Sequence, residues 1–153
     1  MMERLKLYGL KLKTRISGDG NCQFASVADQ LFNDPSRHHE IRKKAVAWLR
    51  KNKTYKLPND TTLQDYLQTE FFPTWPDYCD YMDQEGIWGD HLTLVAVAEA
   101  YALKIVVISS MEVEPGIDPF TVIVARAWAE EDRTIYVAHL HEIHYSSICE
   151  DEE

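Results

Sequence analysis

Long apolar runs are missing from this chain. No stretch of its 153 residues is apolar for long enough to cross a bilayer as a helix. Cysteine is scarce: Cys22, Cys79 and Cys149 are an odd number with no Cys-x-x-Cys spacing, which excludes a disulfide framework and fits a reducing compartment. Positive charge is in deficit, with 16 Lys and Arg against 25 Asp and Glu and a net charge of −9, so the overall field disfavours nucleic acid as a partner. Internal repeats and low-complexity segments are also absent. Charge at Glu3, Arg4 and Lys6, with no apolar region and cleavage site behind it, gives no standard secretion leader.

What is present suits one soluble globular domain: 45% hydrophobic and 27% charged residues are enough for a core and a solvated surface. Residues 5–13 alternate apolar and basic side chains and are expected as an extended arm or edge strand within an N-terminal arm, 1–15, that packs on the domain. Phe24, Val27, Ala28 and Leu31 recur at i, i+3, i+4 and i+7, one buried helical face, and Pro35 ends it. Ser36 is expected to cap a second helix with Ile41, Ala45, Trp48 and Leu49 inside and a solvated basic face of Arg42, Lys43, Lys44, Arg50 and Lys51. Residues 54–86 are irregular and aromatic, with short helices over 61–68 and 77–85. Tyr66, Phe71, Phe72, Trp75, Tyr78 and Tyr81 form either a satellite core or a recognition groove.

Asp90 is a good N-cap for a helix that is apolar almost all round, 92–103, followed by strands over 105–108, 121–125 and 135–140. Helices precede and flank a cluster of late strands, so the expected fold class is α/β (α+β), a small mixed sheet covered by helices. Residues 149–153 read as an acidic, solvated tail.

The chemistry centres on Gly18-Asp19-Gly20-Asn21-Cys22. A glycine-rich turn delivers Cys22 to a helix N-terminus, where unpaired N–H groups and the helix dipole favour a thiolate, and where the turn can aim backbone N–H groups at a developing oxyanion. Far down the chain, His144 is a candidate general base. Cys79 and Cys149 read as structural or incidental. His139, His141 and His144 have the spacing of a metal site, but on one continuous strand His144 faces away from the other two, and no metal is assigned.

Gly18-Asp19-Gly20-Asn21-Cys22-Gln23-Phe24, Trp88-Gly89-Asp90-His91-Leu92-Thr93-Leu94 and Ile143-His144-Tyr145 resemble, in order, the blocks of the OTU (ovarian-tumour) cysteine proteases, which remove ubiquitin. The resemblance covers 16–148. It implies a papain-like OTU fold and a cysteine-type deubiquitinase that hydrolyses isopeptide bonds at the ubiquitin C-terminus without a cofactor. The implied partner is ubiquitin or polyubiquitin, with no nucleic acid and no membrane, for a monomer in the cytoplasm, or in the host cytosol if secreted as an effector.

By the same resemblance Cys22 is the nucleophile, His144 the base and Asp19 an essential helper, with the backbone N–H groups of Gly20, Asn21 and Cys22 lining the oxyanion hole. Two positions depart from the family. Ser146 stands where an aspartate or asparagine usually orients the histidine, which leaves Ser146 and Glu142 as candidates for a third member. Ala25 stands where arginine is common. Two rival readings remain: an OTU-like module that binds ubiquitin with weak or no turnover, and a thiol hydrolase acting on another ubiquitin-like modifier.

Overall fold

The computed structural model describes residues 1–14, 16–111, 113–117, 119–130, 132–140 and 144–150. Among the described residues five α-helices and five strands follow the order α1 (Met2–Leu7), β1 (Leu10–Thr14), α2 (Cys22–Phe32), α3 (His38–Lys51), α4 (Trp75–Met82), α5 (His91–Tyr101), β2 (Lys104–Ser109), β3 (Phe120–Val124), β4 (Thr134–Leu140) and β5 (His144–Glu150). The strands form one sheet in the order β1-β5-β4-β2-β3, antiparallel throughout except for the β2–β4 pair. A mixed sheet flanked by helices is the expected class.

The main core lies between α2, α3 and α5 and the sheet face that carries Ile105, Val107, Ile123, Ile135 and Val137. On the opposite face a second, smaller cluster joins Leu5 of α1 to Leu10, Ile108, Ala138 and Ile148. Strand alternation assigns Val107 to one face and Ile108 to the other. Helix α5 is buried along Leu92–Ala98. Its first turn is closed by Asp90, whose side chain accepts the Thr93 N–H at 3.0 Å while the Asp90 N–H donates to Thr93 Oγ1 at 2.8 Å.

Several expectations are corrected. Residues 10–13 lie in the expected edge strand, β1, but the segment before it folds as a short helix, with Leu5 wholly buried and Gly9, at φ +69°, making the turn between them. Asp34, not Ser36, begins the next element: its carboxylate accepts the Ser36 N–H over a short 3-10 turn, and α3 starts at His38. Cys149 and Glu150 are the last residues of β5, paired with Lys11 and Leu10 in the sheet, rather than the start of a tail.

Arg42 is the largest departure. It lies wholly buried, not on the solvated basic face, because the inner face of α3 is wide enough to take Arg42, Ala45, Val46 and Leu49 at i, i+3, i+4 and i+7 beside Ile41. Trp88 is 46% exposed. Trp75 and Tyr78 are core, whereas Tyr66, Phe71 and Tyr81 are exposed.

Candidate active site

Helix α2 begins at Cys22 with Asn21 as its N-cap, and the Asn21 carbonyl accepts the Ala25 N–H at 2.8 Å. The far end of the helix is fixed to the sheet by Gln30. Its Nε2 donates to Ser147 Oγ at 2.5 Å and to the Ile148 carbonyl at 2.7 Å, and its Oε1 accepts the Tyr136 N–H at 3.2 Å. Helix and strand therefore meet at a set distance. The backbone N–H of Tyr145, the residue after His144, donates to Cys22 Sγ at 3.4 Å.

The thiol is buried, 1% exposed. Burial raises its pKa, while the N–H groups of Tyr145, Gln23 and Cys22 itself lower it and the Asp19 carboxylate raises it again. The balance lies above the ordinary thiol value, so the helix terminus does not yield a resting thiolate. His144 moves the other way: burial pushes its pKa below the usual imidazole value, against the pull of Asp19. The resting groups are thus a thiol at the start of α2 and, on the strand whose next residue touches that sulfur, an imidazole that is neutral at physiological pH. A neutral imidazole can take a proton.

Asp19 acts on both partners through its field, and its Oδ1 accepts the Asn21 N–H at 2.9 Å. Of the three N–H groups expected for the oxyanion, that of Asn21 is thereby engaged, and that of Cys22 makes a long 3.3 Å bond to the Asp19 carbonyl. Ser146 and His144 share a face of β5 and line one cavity of about 360 Å³ with Leu12, Thr14 and Leu140, which places Ser146 where the alternation argument requires. Glu142 lies outside the described residues, as does His141. His139 pairs with Tyr145 across the strands and stacks on its ring at 4.2 Å, on the face opposite His144.

Sequence reasoning missed the supports of this loop. Gln23 is 1% exposed; its Nε2 donates to the Asp90 carbonyl at 3.1 Å and its Oε1 accepts from Thr93 Oγ1 at 2.6 Å. Tyr78 Oη donates to the Asp90 carboxylate at 2.7 Å. Asn21 Oδ1 accepts the Gly86 N–H at 2.9 Å, and Arg42 donates into the same turn. The one signal for Arg42 was its i, i+3, i+4, i+7 relation to apolar positions. For Gln23 the partners lie 67 and 70 residues away, beyond any local pattern.

The family model for the OTU-like cysteine protease matches residues 17–145. Among curated proteins, the OVARIAN TUMOR DOMAIN-containing deubiquitinating enzyme 9 of Arabidopsis thaliana is 32% identical over 148 residues, which are 97% of this chain and 38% of that protein. The chain therefore spans well under half the length of this relative. Among solved structures, the OTU domain of OTUD1 superposes with a TM-score of 0.75 at 17% identity, over 97% of this chain and 91% of that one. An OTU deubiquitinase from Wolbachia pipientis wMel bound to ubiquitin gives a TM-score of 0.60 at 15% identity, over 94% and 98%. With the mixed sheet, the buried thiol at the start of α2 and the histidine strand against it, the matched span establishes that this chain belongs to the OTU-like cysteine protease family.

Proposed function

We propose that the chain is a deubiquitinase that hydrolyses isopeptide bonds at the C-terminus of ubiquitin. The observation that carries this reading is the contact of Cys22 Sγ with the Tyr145 N–H, which joins the nucleophile's helix to the strand of His144. Neutral His144 takes the Cys22 proton, and the sulfur attacks the carbonyl carbon of the terminal glycine. The tetrahedral oxyanion is met by the N–H groups of Gly20 and Cys22, that of Asn21 being held by Asp19, and such a donor commonly contributes a factor of about a hundred or more in acyl transfer. The amine of the acceptor lysine leaves with the proton from His144, and water hydrolyses the thioester. No cofactor takes part.

Two neighbouring cavities with shared walls support an extended peptide substrate. One, of about 360 Å³, is lined by Gly89, Asp90, Val107, His139 and Tyr145, the residue whose N–H meets Cys22 Sγ. His91, Thr121 and Ile123 also line the next, which reaches Tyr55, Glu99 and Arg126. All three cysteines are free thiols, in keeping with the cytoplasmic location proposed here. The test is reaction with ubiquitin carrying a C-terminal vinyl electrophile, read by intact mass beside Cys22→Ala. An adduct that requires Cys22 supports the reading. Absence of an adduct from folded protein that still binds ubiquitin favours the binding-module reading, which Ser146 keeps in play.

A further inference from the structure

Arg42 is a wholly buried cation that forms no ion pair among the described residues. Its guanidinium instead meets neutral acceptors from three chain segments. Nη1 donates to the Met82 carbonyl at 2.8 Å. Nη2 donates to the Ile87 carbonyl at 2.8 Å, to Asn21 Oδ1 at 2.9 Å and to the Gly20 carbonyl at 3.3 Å. The Phe24 ring lies against it, 4.3 Å from its carbon. Burying a charge is costly unless its donors are satisfied; Nη1 and Nη2 are met while Nε has no partner among the described residues, and a rigid planar fork can span several acceptors where a lysine ammonium, a point charge, cannot.

Two of those acceptors belong to the residues immediately before Cys22. In a trans peptide the C=O and the following N–H point to opposite sides. With the Gly20 carbonyl held toward Arg42, the Asn21 N–H points away from it, and there it meets Asp19 Oδ1 at 2.9 Å. Asp19 is the carboxylate whose field reaches both Cys22 and His144.

We propose that Arg42 is a positioning residue for acyl transfer: it keeps the Gly20 carbonyl turned inward, so that no carbonyl dipole faces the developing oxyanion, and it fixes the Asn21 N–H on the Asp19 carboxylate. Its turnover arm rests on the hydrolase reading above. A second arm does not.

The variants are Arg42→Lys, which keeps the charge without the fork, Asn21→Ala, which removes one acceptor, and their combination. Turnover is measured on a ubiquitin C-terminal coumarin amide. Alkylation of Cys22 by iodoacetamide is measured by mass; there sulfur displaces iodide from carbon and no oxyanion forms. Amide hydrogen exchange is followed in the same proteins. For Arg42→Lys, kcat should fall about 10- to 100-fold with KM and alkylation rate within about threefold of wild type. Exchange should quicken at residues 20–22 and 86–87 but not inside α3. The combined variant should be no slower than Arg42→Lys alone.

Unchanged kcat in a folded Arg42→Lys variant overturns the proposal. So does a joint fall of kcat, alkylation and protection across the whole protein, which is the mark of a merely structural residue. A wild-type chain that leaves the coumarin amide intact refutes the hydrolase reading. The exchange arm then decides Arg42: quickening confined to the loop and its turn supports loop positioning, and uniform quickening or none overturns it.

Discussion

Gly20→Ala puts the smallest possible side chain where the nucleophile's loop meets the 82–87 turn. A Cβ built at Gly20 overlaps the Gly86 carbonyl and lies 2.9 Å from Gly86 Cα. Ordinary carbon–carbon contact is about 3.5–4.0 Å, so the Cα alone has to retreat by roughly 1 Å, and the carbonyl by more. Both sides of the contact are backbone, and no side chain can swing away. The retreat pulls on two bonds that tie the turn to the site: Gly86 N–H to Asn21 Oδ1 at 2.9 Å and Arg42 Nη2 to the Ile87 carbonyl at 2.8 Å.

A neutral bond contributes about 0.5–1.5 kcal/mol and one from a charged donor about 1.5–3, so the expected loss is about 2–4 kcal/mol. That leaves a domain of ordinary stability folded at room temperature and lowers its Tm by roughly 6–12 °C. A displacement of about 1 Å in the loop costs up to about a hundredfold in kcat. The assay is thermal melting with turnover of a ubiquitin coumarin amide. The control is Gly18→Ala, whose Cβ would meet nothing within 4 Å and which should match wild type in both. A Gly20→Ala protein with unchanged Tm and kcat refutes the claim that this contact sets the loop.

Three further predictions concern the reacting groups. Burial holds His144 below the ordinary imidazole pKa, so the acid limb of kcat/KM should fall at lower pH than for a solvated histidine; a limb above that value refutes the assignment of His144 as a buried neutral base. In Asp19→Asn an amide oxygen can still accept the Asn21 N–H while the negative charge is gone. An anion favours the protonated forms of both Cys22 and His144, so its loss lowers both pKa values and moves the acid limb further down; an upward move shows that Asp19 does not act by its field. Ser146→Asp places a carboxylate in the cavity that Ser146 shares with His144, and activity should hold or rise. A loss as large as that of His144→Ala, with the fold intact, assigns the third role elsewhere.

The late strands, α2 and α5 were legible because each is specified by residues close in sequence. Phe24, Val27 and Ala28 mark one face, Asp90 and Thr93 cap one turn, and Ile105–Ile108 is a continuous apolar run. The residues that hold the site were not legible, because their partners are remote. Arg42 reads as one more basic residue beside Lys43 and Lys44 until the 82–87 turn is folded over it. The thiol's protonation was misread for a related reason: the helix terminus is visible in sequence, whereas the burial that outweighs it exists only once the chain has folded around Cys22.

The central block, Trp88 to Leu94, acts on the nucleophile's loop by hydrogen bonds. Trp88 is exposed, but the chain around it is tied to the nucleophile's loop or to Arg42 at Met82, Gly86, Ile87, Asp90 and Thr93. The Met82 and Ile87 carbonyls accept from Arg42, which also holds Gly20 and Asn21. The Gly86 N–H meets Asn21, the Asp90 carbonyl and Thr93 Oγ1 engage Gln23, and Gly89 leaves room for that amide, since a Cβ there would lie 2.9 Å from Thr93 Oγ1 and closer still to Gln23. The residues on either side of Cys22 are therefore held by one continuous segment, and Tyr145 closes the third side. The nucleophile's loop thus gets its rigidity from a segment that does not touch the sulfur, while the strand of His144 and Tyr145 does.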